Sequence, residues 1–337
     1  MLILCGSYMG TMERAVLGER SPLYGRRTGQ YQLLPLGFRE IGGFFPGLGA
    51  VKRIEGYAIL GGVPAYLEKF AGCEDPLEEV PRLVLRKGSF FYDEPRFLLI
   101  EELREPANYF SLLRAIAWGK TKLNEILQAS ALADRSAASR YLDTLRELGL
   151  VERMLPVTEK APHKSRRGIY RVRDHFFRFW FRFVLPHRSE LEEGEVERVM
   201  ERHIRPHFGE FVARTFEEVA REYVWELGRR DQLPFHPVRV GAWWDGRTEI
   251  DVVALGEKGE VLVGECKWSS HPVDLSVLGE LERKTTPLLA HLTALSGGRP
   301  VPRLFYALFS RFGFTADLVA LARNRGDLLL ISAEEMG

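Results

Sequence analysis

The feature that most constrains the fold is a pair of neighbouring segments, residues 249–255 and 261–268, that are apolar apart from a few charged residues. Each has the length of a strand, and Gly256 and Gly259 between them are typical of a tight turn. A strand that is apolar on both faces belongs in a sheet covered on both sides. The sequence therefore predicts an α/β fold here.

The surrounding residues extend this prediction into a defined order of elements. From about residue 205, the pattern predicts a helix, three strands, a second helix, a strand, a third helix and a last strand. The helices are expected at 208–227, 275–292 and 316–323, and the strands at 238–243, 248–255, 261–268, 304–309 and 328–331.

Three charged residues interrupt the two central strands. Glu265 and Lys267 lie two apart, so they share one face of their strand, and the hairpin brings Asp251 alongside them. Two converging carboxylates repel each other unless a divalent cation binds between them, and a lysine there can orient water or stabilise charge on a phosphate. The alternative is that all three are solvated charges on an open strand pair. Because charges amid apolar runs are costly without a partner, we favour a clustered site.

A second signature lies between residues 106 and 185. Helices are expected at 109–118 and 123–129, and Asp134 is suited to cap a third helix that ends at Gly149. Alternating strands at 150–157 and 168–172 follow, joined by a basic loop. Three helices and a hairpin are the pattern of a winged helix-turn-helix, and the aromatic residues after it predict a linking helix.

Two groups of residues in this segment are candidate DNA contacts. They lie in the first half of the third helix and in the hairpin loop, where side chains meet bases and phosphates. They are Arg135, Ser136, Ser139, Arg140, Lys160, Lys164, Arg166 and Arg167. The alternative is a protein-interaction module, because the same helix also carries Asp143 and Glu147. We expect DNA as the partner.

The acidic site resembles that of the PD-(D/E)XK (restriction-endonuclease-like) nuclease superfamily. Asp251 followed by Glu265-Cys266-Lys267, behind a helix with Glu217-Glu218, matches its motif. The resemblance implies that Glu217, Asp251 and Glu265 hold Mg²⁺ or Mn²⁺. It also implies that Asp251, Glu265 and Lys267 are catalytic in phosphodiester hydrolysis. The departure is the following helix, where many members carry a Gln and this chain has glutamates.

The whole chain resembles the C-terminal portion of the archaeal ATPase (AAA/STAND-type) family. Residues 2–7 look like a late strand of a P-loop core, Arg26 and Arg27 like its arginine-bearing loop, and residues 61–67 like the helical lid motif. The implied organisation is an α/β multidomain chain. It comprises a P-loop remnant at 1–50, a helical lid at 51–105, a winged helix and linking helix at 106–185, and a nuclease-like domain at 186–337.

The phosphate-binding part of such an ATPase is missing. No Gly-x-x-x-x-Gly-Lys-Ser/Thr occurs in the sequence, so neither the amide cradle nor the Mg²⁺-binding hydroxyl is present. We therefore expect no ATP bound to this chain alone. Two alternatives to a nuclease remain: a non-catalytic regulator that binds DNA or protein, and a subunit whose Arg26 or Arg27 completes the ATP site of a P-loop partner or of another copy.

The remaining residues exclude several other classes. Three scattered cysteines argue against a disulfide framework and predict a reducing, cytoplasmic compartment. The apolar run 176–185 is too short for a membrane span and contains arginines, so no membrane partner is expected. The histidines at 203, 207 and 236 show no recognised metal spacing and are given no role. With a net charge of +1, DNA binding must depend on local basic patches.

Overall fold

A computed structural model describes residues 31–337 except 131 and 133, together with the isolated positions 19, 24, 26, 28 and 29. The sequence predicts a strand at 2–5 and a short helix at about 9–17; these two segments and Arg27 lie outside the described residues. Arg26 is exposed. The sequence also predicts a short strand at 31–34, and this prediction is wrong: the segment is irregular, and Tyr31 and Leu33 are each 93% exposed. A strand requires a hydrogen-bonding neighbour, and this segment has none among the strands of the described chain.

The first part of the described chain is helical. Glycine and proline set the breaks, as at Gly61, whose positive φ ends the first helix. The helices are α1 (Ala50–Leu60), α2 (Pro64–Phe70), α3 (Pro76–Val80, continued by a π-helical turn at Pro81–Leu85) and α4 (Glu94–Glu102).

Three helices and a two-stranded hairpin follow, at the places expected from the sequence. They are α5 (Pro106–Ala117), α6 (Leu123–Ser130), α7 (Arg135–Glu147), β1 (Val151–Met154) and β2 (Ile169–Val172). Asp134 caps α7 as predicted, because its carboxylate accepts a hydrogen bond of 2.8 Å from the Ser136 amide. The chain thus has a compact helix–hairpin segment in its middle.

An irregular helical stretch connects the hairpin to the long helix before the sheet. It comprises α8 (His175–Phe179), a π-helical turn (Trp180–Val184), a 3₁₀ turn (Leu185–His187), α9 (Arg188–Glu192), α10 (Val196–Val199) and a second π-helical turn (Met200–Ile204). The long helix α11 (Arg205–Arg229) continues directly from the second π-helical turn. The aromatic side chains between Phe176 and Phe183, in α8 and the π-helical turn after it, are buried, as expected of core. Arg178 is buried with them, whereas Arg182 is exposed.

The C-terminal part is a five-stranded mixed sheet in the order β3-β4-β5-β6-β7. The first three strands are antiparallel and the last two parallel. The elements are β3 (Pro237–Trp244), β4 (Glu249–Gly256), β5 (Val261–Lys267), α12 (Leu275–Leu295), β6 (Leu304–Ser310), α13 (Ala316–Asn324) and β7 (Leu328–Ser332). These are the elements, in the order, that the sequence predicts.

Both faces of the sheet are covered, as the apolar strands require. One hydrophobic cluster includes Val252 and Leu262 of the sheet, Phe216 of α11 and much of the helical part of the chain. A second cluster joins the opposite face, at Val253 and Val263, to α12 and α13. Neighbouring strand residues therefore point alternately into two cores. No helix of the described chain is both long enough and apolar enough to cross a bilayer.

The hairpin loop packs against the sheet. The Val157 amide donates to the carbonyl of Ala242 in β3 at 2.9 Å, and Thr158 Oγ1 lies 3.1 Å from His291 Nε2 of α12. The Arg167 guanidinium donates to the carbonyl of Trp244, whose indole donates back to the Arg167 carbonyl at 3.3 Å. One candidate DNA contact, Arg167, is therefore also part of the junction between hairpin and sheet.

Candidate functional site

Asp251 lies at an irregularity in β4. Gly241 pairs with Val253 but Trp243 pairs with Ile250, so one residue of β3 is opposed by two residues of β4, Asp251 and Val252. Such a β-bulge bends the strand and re-aims a side chain, and bulges are frequent beside functional sites.

The Asp251 side chain lies close to the end of β5. Its Oδ2 accepts a hydrogen bond of 2.8 Å from the Cys266 amide, and its backbone carbonyl accepts one of 2.8 Å from Arg221 of α11. The β4–β5 ladder ends at the pair of Val252 with Gly264, and the next positions along that register are Asp251 and Glu265. The hairpin therefore brings the two predicted acidic residues to the same place in the sheet.

Glu265 is buried and paired with two lysines. Its carboxylate accepts a hydrogen bond of 2.8 Å from Lys267, its neighbour on the same strand face. Lys284 of α12 donates to both carboxylate oxygens, at 2.9 and 3.0 Å. Burial lowers the pKa of Lys284, but the Glu265 carboxylate and Glu280, 3.4 Å away, raise it above its usual range. Both lysines are thus available to balance the buried charge of Glu265.

The electrostatics around Asp251 are those of crowded carboxylates. Burial, followed by the nearby carboxylates of Glu217 and Glu265, raises the pKa of Asp251 to about 7, although the hydrogen bond from the Cys266 amide lowers it. Burial likewise raises the pKa of Glu217 on α11, despite Arg221 at 3.7 Å. Repulsion of this kind is relieved by a proton or by a cation.

The structure separates the two glutamates of α11 that the motif left ambiguous. Glu218 has Arg178 Nη1 at 3.0 Å and His175 Nε2 at 2.8 Å. Burial raises the pKa of Glu218, but these two neighbours hold it well below its usual range. Glu218 is therefore paired with Arg178 and His175. Glu217 is the glutamate of α11 whose charge raises the pKa of Asp251.

The predicted ligands Glu217, Asp251 and Glu265 do not form a closed three-ligand cluster. Among the described residues, the group whose donor atoms all lie within 4.8 Å of one another is a different one, His187, Glu190 and His203. The ammonium groups of Lys267 and Lys284 lie against Glu265 Oε1 instead.

Most of the candidate DNA contacts lie at the surface. In α7, Ser139 is half-buried and Arg135, Ser136 and Arg140 are exposed. In the hairpin loop, Lys160, Lys164 and Arg166 are exposed, whereas Arg167 is half-buried and holds the loop to β3. The exposed side chains are accessible to a ligand, whereas Arg167 is held in the junction between the hairpin loop and β3.

Sequence reasoning missed Lys284. In the helix after β5 the resemblance points only to a missing glutamine, in a segment that carries Glu280 and Glu282, whereas the residue that contacts Glu265 lies one turn after Glu280. The spacing of Glu280 and Lys284, four residues apart on one helix face, was the available signal. Which helix face meets β5 could be read only from the folded chain.

Comparison with known proteins finds a family model that matches one segment of the chain. Residues 180–282 match the model of the DUF234 family, described as archaeal and bacterial proteins of unknown function. The matched segment runs from the π-helical turn Trp180–Val184 into α12 and includes Glu217, Asp251, Glu265 and Lys267.

A longer match is to an uncharacterized protein of Methanocaldococcus jannaschii. The two sequences are 35% identical over 271 residues, which is 79% of this chain and 59% of the relative. The chain thus spans a little under two thirds of that relative's length, and the shared region is far longer than the DUF234 segment alone.

Proposed function

We propose that this chain is a DNA-associated member of the archaeal ATPase family whose mixed sheet carries a metal-dependent phosphodiester-hydrolysing site. One observation carries the proposal. Asp251, near the start of β4, lies beside the end of β5, which bears Glu265 and Lys267. The DUF234 match and the archaeal relative support the family assignment. The order α11-β3-β4-β5-α12-β6 supports a restriction-endonuclease-like fold around that site.

The donor set suits a hard divalent cation. Glu217 and Asp251 have raised pKa values because they are buried beside other carboxylates, which a bound cation would favour in the charged form. Asp251 and Glu265, with Glu217 as a third candidate, would hold Mg²⁺ or Mn²⁺. Such an ion supplies Lewis-acid activation of water and of the phosphate group.

Other residues of the protein hold Asp251 in place and balance the charge of Glu265. The Cys266 amide and Arg221 hold the side chain and backbone of Asp251. The Lys267 ammonium donates a hydrogen bond to Glu265, and its side chain is half-buried. The ammonium is therefore both next to the carboxylate and accessible from the surface. There it can stabilise charge on a phosphate or take part in proton transfer from water.

The helix–hairpin segment would provide DNA affinity as a winged helix. Arg135 and Arg140 of α7, and Lys164 and Arg166 of the hairpin loop, are exposed cations that can neutralise phosphates. Because the loop is hydrogen-bonded to β3, a duplex held by the hairpin would be kept at a fixed position relative to the sheet.

A cleavage assay on a mixed panel of DNA and RNA, with Mg²⁺ or Mn²⁺, tests the proposal. The full chain should cut at least one substrate only when the metal is present, and Asp251→Asn should lose both metal binding and cleavage. Lys267→Ala should retain metal binding and lose turnover, since its role is in the reaction. Glu257→Gln, which removes an acidic charge from the exposed β4–β5 turn, is the matched control and should cut normally. If the full chain cuts nothing, the hydrolytic function is wrong.

One observation favours a second candidate, a non-catalytic regulator that binds DNA or a protein partner. Lys284 places a cation on both oxygens of Glu265, so the protein can stabilise this carboxylate without a metal. In that case the acidic site is vestigial. Lys284→Gln separates the two candidates: recovery of metal binding without cleavage supports the regulator, and faster cleavage supports the nuclease.

A further inference from the structure

Three side chains outside the acidic site converge on one point. His187 Nδ1 lies 3.2 Å from Glu190 Oε1, and His203 Nε2 lies 3.6 Å from the same oxygen. Their donor atoms all lie within 4.8 Å of one another. The two imidazole rings are stacked, with centroids 3.7 Å apart and planes inclined by 16°.

The irregular helical stretch before α11 brings these residues together. His187 ends the 3₁₀ turn Leu185–His187, and Glu190 follows three residues later in the first turn of α9, so both face the same side. His203 lies in the π-helical turn Met200–Ile204 that leads into α11. Single π-helical turns within helices are frequent at functional sites, because the extra residue re-aims side chains.

A hydrogen-bonded cluster does not account for all of these distances. The separation of 3.2 Å between His187 and Glu190 fits a long hydrogen bond, but 3.6 Å between His203 and Glu190 is too long for one. Zinc binds imidazole nitrogen and carboxylate oxygen at about 2.0–2.2 Å, so tetrahedral ligand atoms lie about 3.4 Å apart. Both measured separations are close to that spacing.

The site opens into a cavity of about 270 Å³. His207, one helical turn after His203, lines the same cavity, and so does Arg182. The second oxygen of Glu190 has Arg198 Nε at 3.5 Å. An outer partner of this kind orients a ligating carboxylate and leaves its first oxygen for the ion.

We propose that His187, Glu190 and His203 form a mononuclear site for a divalent transition-metal ion, with Zn²⁺ the expected occupant. Two imidazoles and one carboxylate are a ligand set that suits such ions and leaves positions open. The fourth position faces the cavity and is available to His207 or to water. The ion would link the end of the aromatic helical segment to the start of α11, which carries Glu217.

This site differs in chemistry from the proposed nuclease site. Its ligands are mainly nitrogen, whereas Glu217, Asp251 and Glu265 offer only oxygen, which Mg²⁺ and Mn²⁺ prefer. The two sites can therefore be tested independently, and loss of one leaves the other intact.

Metal titration of the full, metal-free chain tests the proposal, with Zn²⁺ as the ion and Co²⁺ as a spectroscopic probe. We expect one equivalent of Zn²⁺ to bind saturably and to displace Co²⁺ together with its visible absorption. Removing a ligand in His187→Ala or His203→Ala should weaken Zn²⁺ binding by more than about 100-fold, beyond the loss that an outer-shell partner causes. Glu190→Gln keeps the side-chain shape and should also weaken binding.

Matched controls keep the test independent of folding and of the acidic site. His236→Ala removes an exposed histidine outside the cavity, and Asp251→Asn alters the other site; both should bind Zn²⁺ as the unmodified chain does. Circular dichroism checks that each variant is folded, and Glu190→Gln serves if a histidine variant is not. Absence of saturable Zn²⁺ binding, or binding that survives in folded His187→Ala/His203→Ala, would overturn the proposal.

Discussion

Replacing Asp251 by Asn should stabilise the metal-free protein at alkaline pH. The pKa of Asp251 is about 7 in the folded chain, against 3.8 for a free aspartate, because burial and the carboxylates of Glu217 and Glu265 disfavour its charge. Asn is nearly isosteric, and its carbonyl oxygen can still accept the hydrogen bond from the Cys266 amide. The substitution therefore removes the ionisation and keeps the contact.

The size of the effect follows from proton linkage. Between pH 3.8 and 7 the folded state binds a proton that the unfolded state has released, so the free energy of unfolding falls as pH rises through that interval. Each pKa unit corresponds to about 1.4 kcal/mol, which gives a total cost of about 4 kcal/mol above pH 7. Asp251→Asn does not carry this cost. Its stability relative to the unmodified chain should therefore rise by about 3 kcal/mol from pH 5 to pH 8.

Urea denaturation at pH 5 and pH 8, with a chelator present, measures this difference. Glu257→Gln, in the exposed β4–β5 turn, is the control and should follow the unmodified chain at both pH values. The reasoning is refuted if Asp251→Asn differs from the unmodified chain by the same free energy at pH 5 and at pH 8. A saturating divalent metal should reverse the preference at pH 8, because the ion stabilises the aspartate and not the amide.

Further predictions concern the metal, the DNA and the nucleotide. Affinity for Mn²⁺ should increase as pH rises through about 7, since Asp251 must lose its proton to bind the ion; a calorimetric titration that shows no such dependence contradicts this. Lys284→Gln should increase Mn²⁺ affinity, because Glu265 then loses a competing cation; unchanged or weaker binding is the opposing result. Lys164→Ala and Arg166→Ala should each lower the slope of log affinity against log salt by about 0.9 in duplex binding, whereas Lys87→Ala, at another exposed position, should not. Isothermal calorimetry should detect no saturable micromolar binding of ATP to this chain alone, and such binding would disprove the expectation drawn from the missing phosphate loop.

The arrangement of the sheet could be predicted because its signals are local. The segment 261–268 is apolar with glycine before it, and β5 runs from Val261 to Lys267. The helix expected at 208–227 is α11, Arg205–Arg229, whose apolar residues recur at helical spacing. The proximity of Asp251 to Glu265 followed from the hairpin alone, since a tight turn fixes which residues are opposed.

The contacts made between distant elements could not be predicted in this way. Lys284 reaches Glu265 because the helix face that bears it packs beside β5. Arg167 holds the hairpin to β3 through backbone carbonyls, which carry no sequence signal. His187 and His203 are sixteen positions apart, and two irregular helical turns bring their rings into contact. A spacing rule based on regular helices gives these histidines no common site.

The most direct test of the central claim is a crystal structure of the full chain soaked in Mn²⁺, with the ion located by its anomalous scattering. The account predicts a peak bound by carboxylate oxygens of Asp251 and Glu265, with Lys284 displaced from at least one oxygen of Glu265. A map without a peak there, in which Lys284 still contacts both oxygens at saturating Mn²⁺, would contradict the claim that this end of the sheet is a metal-dependent site.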